Sequence, residues 1–330
     1  MNWLLPKPDG LFCVPGNFFI DPHNAVERAV ITHGHSDHAY AGHQNVLATP
    51  ETLAVMKLRL GTGSGDHKQT LQYGQKIQID DVSVWLVPAG HVLGSSQVVM
   101  EHSGKRIVVS GDYKRRRDPT CSEFEVVACD VFVTEATFAL PVFVHEPDAN
   151  EISKLLASLQ LFPDRTHQVG VYSLGKCQRL IVLLRESGYT KPIWLHGAMK
   201  SMCDLYESLG ITLGELRLVS ESDTALPGEI VLCPPSSLGD RWSRRFADPI
   251  PALASGWMRI RARARQRGVE LPLIISDHAD WPELIQTIKD VEASEIWITH
   301  GREDALTMQV QSMGLTARAL AMVGFDEDSE

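Results

Sequence analysis

Ile31-Thr-His-Gly-His-Ser-Asp-His38 is the stretch on which the reading of this chain turns. It follows the apolar run Ala29-Val30-Ile31 and places His33, His35, Asp37 and His38 within six positions. A strand that ends and releases imidazole and carboxylate groups into one tight loop can aim them into a single cavity, and these are the nitrogen and oxygen donors that zinc takes. A polar loop with scattered histidines is the plain alternative. The two readings divide on whether further ligands arrive downstream at the ends of other strands.

Three such residues are present. His91 follows Val84-Trp-Leu-Val-Pro-Ala-Gly90, Asp112 follows Lys105-Arg-Ile-Val-Val-Ser-Gly111, and His300 follows Glu295-Ile-Trp-Ile-Thr299. With the opening cluster they make five histidines and two aspartates. That suffices for two metal ions, three imidazoles on one and a mixed His/Asp set on the other, with one carboxylate bridging.

The chain has 330 residues, more than one compact core usually spans, so two connected domains are expected. Hydrophobic residues at 44% and charged residues at 22% are ordinary for a soluble globular protein. No apolar run is long enough to span a bilayer, and the N-terminus lacks the pattern of a secretory signal, so a cytoplasmic protein with no membrane partner is expected. The six cysteines are widely spread without a CxxC pair and read as reduced thiols. A formal net charge of −10 argues only weakly against a nucleic-acid partner, because metal-ligating carboxylates are counted in it and local basic patches matter more.

Along the first 140 residues, β-prone runs at 11–14, 18–20, 29–32, 82–87, 97–101, 106–109 and 131–134 predict packed sheets. Thr49-Pro50-Glu51 predicts the cap and first turn of a helix carrying Leu53, Met56 and Leu60. Gly61-Thr-Gly-Ser-Gly65 lacks the Gly-Lys-Ser/Thr ending of a phosphate loop and reads as a flexible loop. From about residue 149 helix and strand alternate: helix 151–161, strand 169–172, helix 178–186, strand 193–195, helix 199–209. This predicts βαβ units in a second domain. The alternation fades after Pro234-Pro235 into an irregular arginine-rich stretch. A strand at 273–276, a helix from Trp281 capped by Asp280 and Glu283, a strand at 295–299, then a last helix and strand to Val323 follow, and 325–330 is an acidic tail.

These motifs resemble those of metallo-β-lactamase-fold hydrolases, with His33-Gly-His-Ser-Asp-His38 as the HxHxDH motif and His91 and Asp112 on the motifs that follow it. Pro88-Ala-Gly-His-Val-Leu-Gly-Ser95 and Ser110-Gly-Asp-Tyr113 resemble the β-CASP nuclease group in particular. The resemblance implies an αββα sandwich formed by 1–139 and 273–330, with an inserted α/β β-CASP domain at 140–272. It implies His33, His35 and His91 on one zinc, Asp37, His38 and His300 on the other, and Asp112 bridging, with manganese as an alternative to zinc. Glu135, His278 and His300 match the group's three accessory motifs. Leu5-Pro-Lys-Pro-Asp-Gly10, Phe19-Ile-Asp-Pro-His23 and the short insertion are most similar to the bacterial ligase-associated DNA exonucleases. Two departures stand out. His35-Ser-Asp-His-Ala-Tyr-Ala-Gly42 replaces the common Asp-His-x-Gly continuation, and Gly175-Lys-Cys-Gln-Arg179 replaces the usual Gly-Arg-x-Gln-Glu.

The function so implied is that of a zinc-dependent phosphodiesterase: a DNA exonuclease, 5′-to-3′ by extension from DNA-repair relatives, linked in function to a DNA ligase and a helicase. Two metal ions would activate the attacking water, with Asp37 catalytic as well as a ligand, and His278, held by Glu135, would protonate the leaving oxygen. An RNA-processing nuclease is the first alternative, because a histidine at the third accessory motif is more typical of RNA enzymes. A non-catalytic nucleic-acid-binding scaffold is the second.

For substrate grip, Tyr172-Ser-Leu-Gly-Lys176 stands between strand and helix, where backbone N–H groups, Ser173 and Lys176 could receive a phosphate, or could form an ordinary turn. Between Arg241 and Arg267 eight arginines, Arg259 and Arg261 among them, face one acidic residue, with Trp242 and Trp257 interleaved. This reads as a phosphate-tracking surface, against the alternative of a solvated helix face. Lys114-Arg-Arg-Arg117 adds positive charge beside Asp112.

Overall fold

Short apolar and β-branched runs broken by Gly, Asn and Asp dominate the first 136 residues, and they fold as strands. The computed structural model describes residues 3–222 and 226–320. Its first strands are β1 (Leu4–Lys7), β2 (Gly10–Cys13), β3 (Phe18–Ile20), β4 (Arg28–Val30) and β5 (Asn45–Ala48). Helix α1 (Pro50–Leu60) follows, its N-cap Thr49 accepting from the Thr52 N–H, and then a 3₁₀ turn over Gly61–Ser64. β6 (His67–Thr70), β7 (Ile77–Ile79), β8 (Val82–Pro88), β9 (Ser96–His102), β10 (Lys105–Val109) and β11 (Val131–Ala136) complete this part.

The chain then forms α2 (Asp148–Leu161), β12 (His167–Gly170), α3 (Lys176–Glu186), β13 (Ile193–Leu195), α4 (Gly197–Ser208), β14 (Leu216–Leu218), β15 (Ile230–Cys233), β16 (Ile250–Ala254), α5 (Arg261–Gln266) and β17 (Leu271–Leu273). It returns with α6 (Trp281–Asp290), β18 (Glu295–Gly301), α7 (Glu303–Ser312) and β19 (Thr316–Ala319). The chain divides into two units, one of 1–144 with 278–330 and one of 145–277.

In the first unit, β1 to β6 form one sheet in sequential order, and the other has the order β19-β18-β11-β10-β9-β8-β7. Between them lie Leu11, Phe18, Val30 and Leu47 from the first sheet and Val84, Leu86, Val98, Met100, Ile107 and Val131 from the second. The outer face of the first sheet buries Ala29, Ile31 and Val46 against Leu53 and Met56 of α1. The outer face of the second buries Val99, Val108, Phe132 and Ile298 against Leu284 and Ile288 of α6 and Leu306 and Val310 of α7. The layers are therefore α, β, β, α, and strands buried on both faces explain unbroken runs such as Val131-Phe-Val133.

Strand direction brings the site together. β3, β4 and β5 are mutually parallel, as are β10, β11 and β18. β8 and β10 each run antiparallel to β9, so β8 points the same way as β10. The loops after β8 and β10 and the ends of β11 and β18 therefore share one edge of the second sheet.

The second unit is an all-parallel sheet of order β14-β13-β15-β12-β16-β17. The unit boundaries fall five residues later than the motifs suggested. Phe143 packs on Phe138, and its carbonyl accepts from the Trp281 N–H, which keeps 140–144 with the first unit. At the other end Ile274 N–H donates to Glu151 of α2, which keeps 273–277 with the second. The arginine-rich stretch is not irregular throughout, since it contains β16 and the short α5. The strand expected at 273–276 stops at Leu273. The acidic tail lies outside the described residues, as does the end of the strand expected to run to Val323.

Candidate metal centre

The loop after β4 is fixed by a residue that the motifs did not single out. Asp21, buried directly after the parallel neighbour β3, accepts from Thr32 N–H at 2.8 Å and Thr32 Oγ1 at 2.6 Å, and lies 2.8 Å from His38 Nδ1. Because the Thr32 hydroxyl donates to Asp21, its oxygen is left to accept from His33 Nδ1 at 3.0 Å. One carboxylate thus assigns Nδ1–H to both His33 and His38 and turns both Nε2 atoms inward, the outer support that metal-ligating imidazoles need. A signal for it is present in the sequence: Phe18-Phe-Ile-Asp21 puts an acidic residue at a strand end, just as the run before Asp112 does.

His91 is held by the turn after β8, where Ser95 Oγ accepts from the N–H of His91 at 3.1 Å and of Val92 at 3.2 Å. Gly90 precedes it at φ +75°, and a Cβ there would lie 2.4 Å from the Lys114 carbonyl oxygen. Only glycine lets this loop lie against the one that carries Asp112. His300 lies inside β18 and not beyond it, in the left-handed region at φ 56°, where the pairing with β11 shifts register between Thr134 and Ala136. Gly301 follows because a Cβ would meet the Ala136 carbonyl oxygen at 2.3 Å.

These supports gather the seven predicted groups. His35 Nδ1 lies 3.1 Å from His33 Nε2 and 2.9 Å from His91 Nε2. Asp112 Oδ2 lies 3.5 Å from His33 Nε2, 3.4 Å from His38 Nε2 and 3.8 Å from His91 Nε2, and Oδ1 lies 3.7 Å from His300 Nδ1. Asp37 Oδ2 is 3.8 Å from His38 Nε2. Metal–nitrogen bonds of about 2.0–2.1 Å put neighbouring donors of a tetrahedron about 3.3 Å apart, so these spacings are compatible with donors that could hold a cation. His33, His35, His91 and Asp112 form one such group, and His38, Asp112 and His300 another that shares Asp112, while Asp37 groups with His33 and His38.

The electrostatics follow from burial. Burial, then the neighbouring His38 and His91, hold His33 well below the usual histidine range, so its imidazole is neutral and its lone pair available. Burial pulls His38 down too, but the Asp112 and Asp37 carboxylates and hydrogen bonds to Asp112 and Asp21 outweigh it and leave His38 well above that range. The same pairing outweighs burial at Asp112 and holds it well below the carboxylate range.

Beside this centre Glu135, buried at the end of β11, accepts from Tyr113 N–H at 2.8 Å and from Thr137 Oγ1, and lies 2.9 Å from His278 Nδ1. The His278 ring stands 4.6 Å from the His91 ring, and its side chain is 18% exposed, enough to reach a ligand from solvent.

The basic stretches divide. Lys114 is buried, Arg115 pairs with Asp290 at 2.8 Å, and Arg116 pairs with Asp280 at 2.7 Å and Glu283 at 2.9 Å. Arg115 and Arg116 are therefore spent on fastening α6, and of the four cations only Arg117 is exposed. In the second unit, the N–H groups of Gly175, Lys176 and Cys177 donate to Gln178 Oε1, Leu174 O and Tyr172 O. Lys176 is buried with its amine 3.0 Å from Asp277 Oδ1, and half-buried Ser173 gives its carbonyl to Gln178. Three of the turn's backbone donors are thus used internally. Arg259 and Arg261 are exposed, and Arg263 lies over the Trp257 ring at 4.0 Å.

Residues 23–164 match the metallo-beta-lactamase superfamily. A "Probable DNA ligase" from Opitutus terrae is 29% identical over 97% of this chain and 31% of its own length. "Endoribonuclease ysh-1" from Neurospora crassa is 30% identical over 55% of this chain and 25% of its own length. The chain therefore spans about a third or less of these relatives. A crystal structure of a protein of unknown function from Enterococcus faecalis V583 superposes with a TM-score of 0.56 at 14% identity, covering 84% of this chain and 76% of that one. Among the described residues, no helix is long and apolar enough to cross a membrane.

Proposed function

The chain carries a metallo-beta-lactamase superfamily domain, and on that premise we propose that it is a zinc-dependent phosphodiesterase that trims DNA ends before they are sealed. One observation carries the chemistry: Asp112 stands between two sets of imidazoles at spacings that fit two metal ions. His33, His35 and His91 would hold one and Asp37, His38 and His300 the other, with Asp112 shared. Histidine-rich donor sets with carboxylates suit zinc, and manganese is the alternative that oxygen ligands allow. When bound, such a pair supplies an activated water and neutralises charge on a phosphodiester during in-line attack. The chain's own residues do the rest. Asp21 and Thr32 hold two imidazoles in their ligating tautomers, Glu135 fixes the His278 ring, and His278 gives its proton to the departing sugar oxygen. Arg259 and Arg261 offer exposed charge to the phosphate backbone.

DNA is favoured because the relative matched over nearly the whole chain bears the name of a DNA ligase, a reaction that requires prepared ends. RNA is the second reading, favoured by the endoribonuclease relative and by His300. Single-stranded DNA, duplex DNA and RNA, each labelled at either end, are to be digested side by side. We expect release of labelled mononucleotide from the 5′ end of DNA. Cleavage of RNA alone would overturn the DNA reading, and fewer than two metal ions per chain in protein purified without chelator would favour a binding scaffold.

A further inference from the structure

The departure at 175–179, which changes two side chains, has a structural role. Lys176 and Arg179 are three residues apart and so share one side of α3, and both are buried there. Lys176 Nζ stands 3.0 Å from Asp277 Oδ1 and 4.4 Å from the centre of the Tyr172 ring, so the amine is held by a carboxylate and an aromatic face. The Arg179 guanidinium donates through Nη1 to the Ser276 carbonyl oxygen and through Nη2 to the Asp148 carboxylate. Asp148 opens α2, and Glu151 one turn later accepts from the Ile274 N–H at 2.8 Å while pairing with Lys154 at 2.7 Å. The segment 274–277 is therefore fastened at three successive points, Ile274, Ser276 and Asp277, by α2 and α3 of its own unit. The next residue in the chain is His278.

We propose that Lys176 and Arg179 are positioning residues for His278. By fixing Asp277 and Ser276 they set the backbone from which the His278 ring reaches Glu135, and they bind no substrate themselves. A buried ammonium and a buried carboxylate are costly to desolvate singly and are retained together where they define a geometry. The inference rests on the acid role of His278 proposed above.

The test is a double-mutant cycle with Lys176→Met, Asp277→Asn and both together. As a positioning pair, each single variant should lower kcat by about tenfold, as small misplacements of a catalytic group do, with KM and metal content close to wild type. The double variant should be no worse than the worse single. If Lys176 instead receives a substrate phosphate, Lys176→Met raises KM at unchanged kcat while Asp277→Asn does not, and the proposal fails. A second readout needs no turnover: in metal-free protein with labelled histidine, the His278 ring resonances should move in both single variants. Ring resonances that stay in place while only the melting temperature falls would overturn the proposal. Absence of cleavage by the wild type on every substrate would count against the nuclease reading alone, since the resonances still report on the clamp.

Discussion

The loop after β4 and the arginine stretch from 241 to 267 are both dense in polar groups, yet they are built in opposite ways. In the loop the imidazoles of His33, His35 and His38 are buried, and Asp21 determines, through Thr32 for His33 and directly for His38, which ring nitrogen carries hydrogen. In the stretch Arg241, Arg244, Arg259, Arg261, Arg265 and Arg267 are exposed, and Arg245 and Arg263 lie over tryptophan rings. A group that must bind a cation in a fixed geometry is worth burying with all its hydrogen bonds arranged beforehand. Under the proposed function, a group that follows a backbone of variable sequence is better left long and solvated. Position in the chain follows the same division, because the first kind needs many strand ends at one edge and the second needs only a surface.

His278 lies between these extremes, partly exposed and held by the carboxylate of Glu135, and its removal should have a larger effect than a change to Asp21 or to the arginines. His278→Ala is expected to slow cleavage by about 10²–10⁴-fold with two metals still bound, measured by single-turnover kinetics beside metal analysis. Loss of metal in step with activity would place His278 with the buried loop as a ligand. Full activity would remove it from the chemistry.

Much of this division was legible in the residues. The HxHxDH stretch and the polar residues after β8 and β10 mark their own places, because a strand buried on both faces writes an apolar run that stops where the polar group begins. The helix at 50–60 and the capping box of Asp280 and Glu283 follow from local chemistry, and both are present. What was not legible depends on contacts distant in sequence. Arg115 and Arg116 look like part of a basic patch until Asp280, Glu283 and Asp290 arrive 164 to 175 residues later. Lys176 looks like a phosphate ligand until Asp277 is set beside it. The left-handed backbone of His300 comes from a register shift against β11 that no local motif announces.

Asp21 offers an intermediate effect that sharpens the contrast. Asp21→Asn keeps the size of the side chain but removes the charge and one of the acceptors that Thr32 and His38 use, so the two imidazoles lose their assigned tautomers. Metal affinity should fall about 10–100-fold, read by competition with a chromogenic chelator, and added metal should restore cleavage. Because Asp112 and Asp37 hold His38 well above the usual histidine range, a proton competes with metal at its Nε2, so affinity should rise with pH in both proteins. Wild-type affinity in Asp21→Asn would mean that the loop is held by packing alone.

The smallest effect should come from the exposed arginines, and its form matters more than its size. Arg259→Ala with Arg261→Ala should weaken binding of single-stranded DNA several-fold at low salt. The dependence of log Kd on log salt should flatten by about one for each phosphate that is no longer neutralised. The maximal rate on saturating substrate should stay the same, because neither side chain belongs to the buried centre. A solvated helix face predicts an unchanged slope, and that outcome would leave the arginines as ordinary surface charge. A fall in the maximal rate would break the comparison from the other side, since it would mean that an adaptable surface also sets the geometry at the reacting phosphate. Arg263→Ala separates packing from charge within the same stretch. Its guanidinium is committed to the Trp257 ring at 4.0 Å, so its loss should lower stability more than it changes the salt slope.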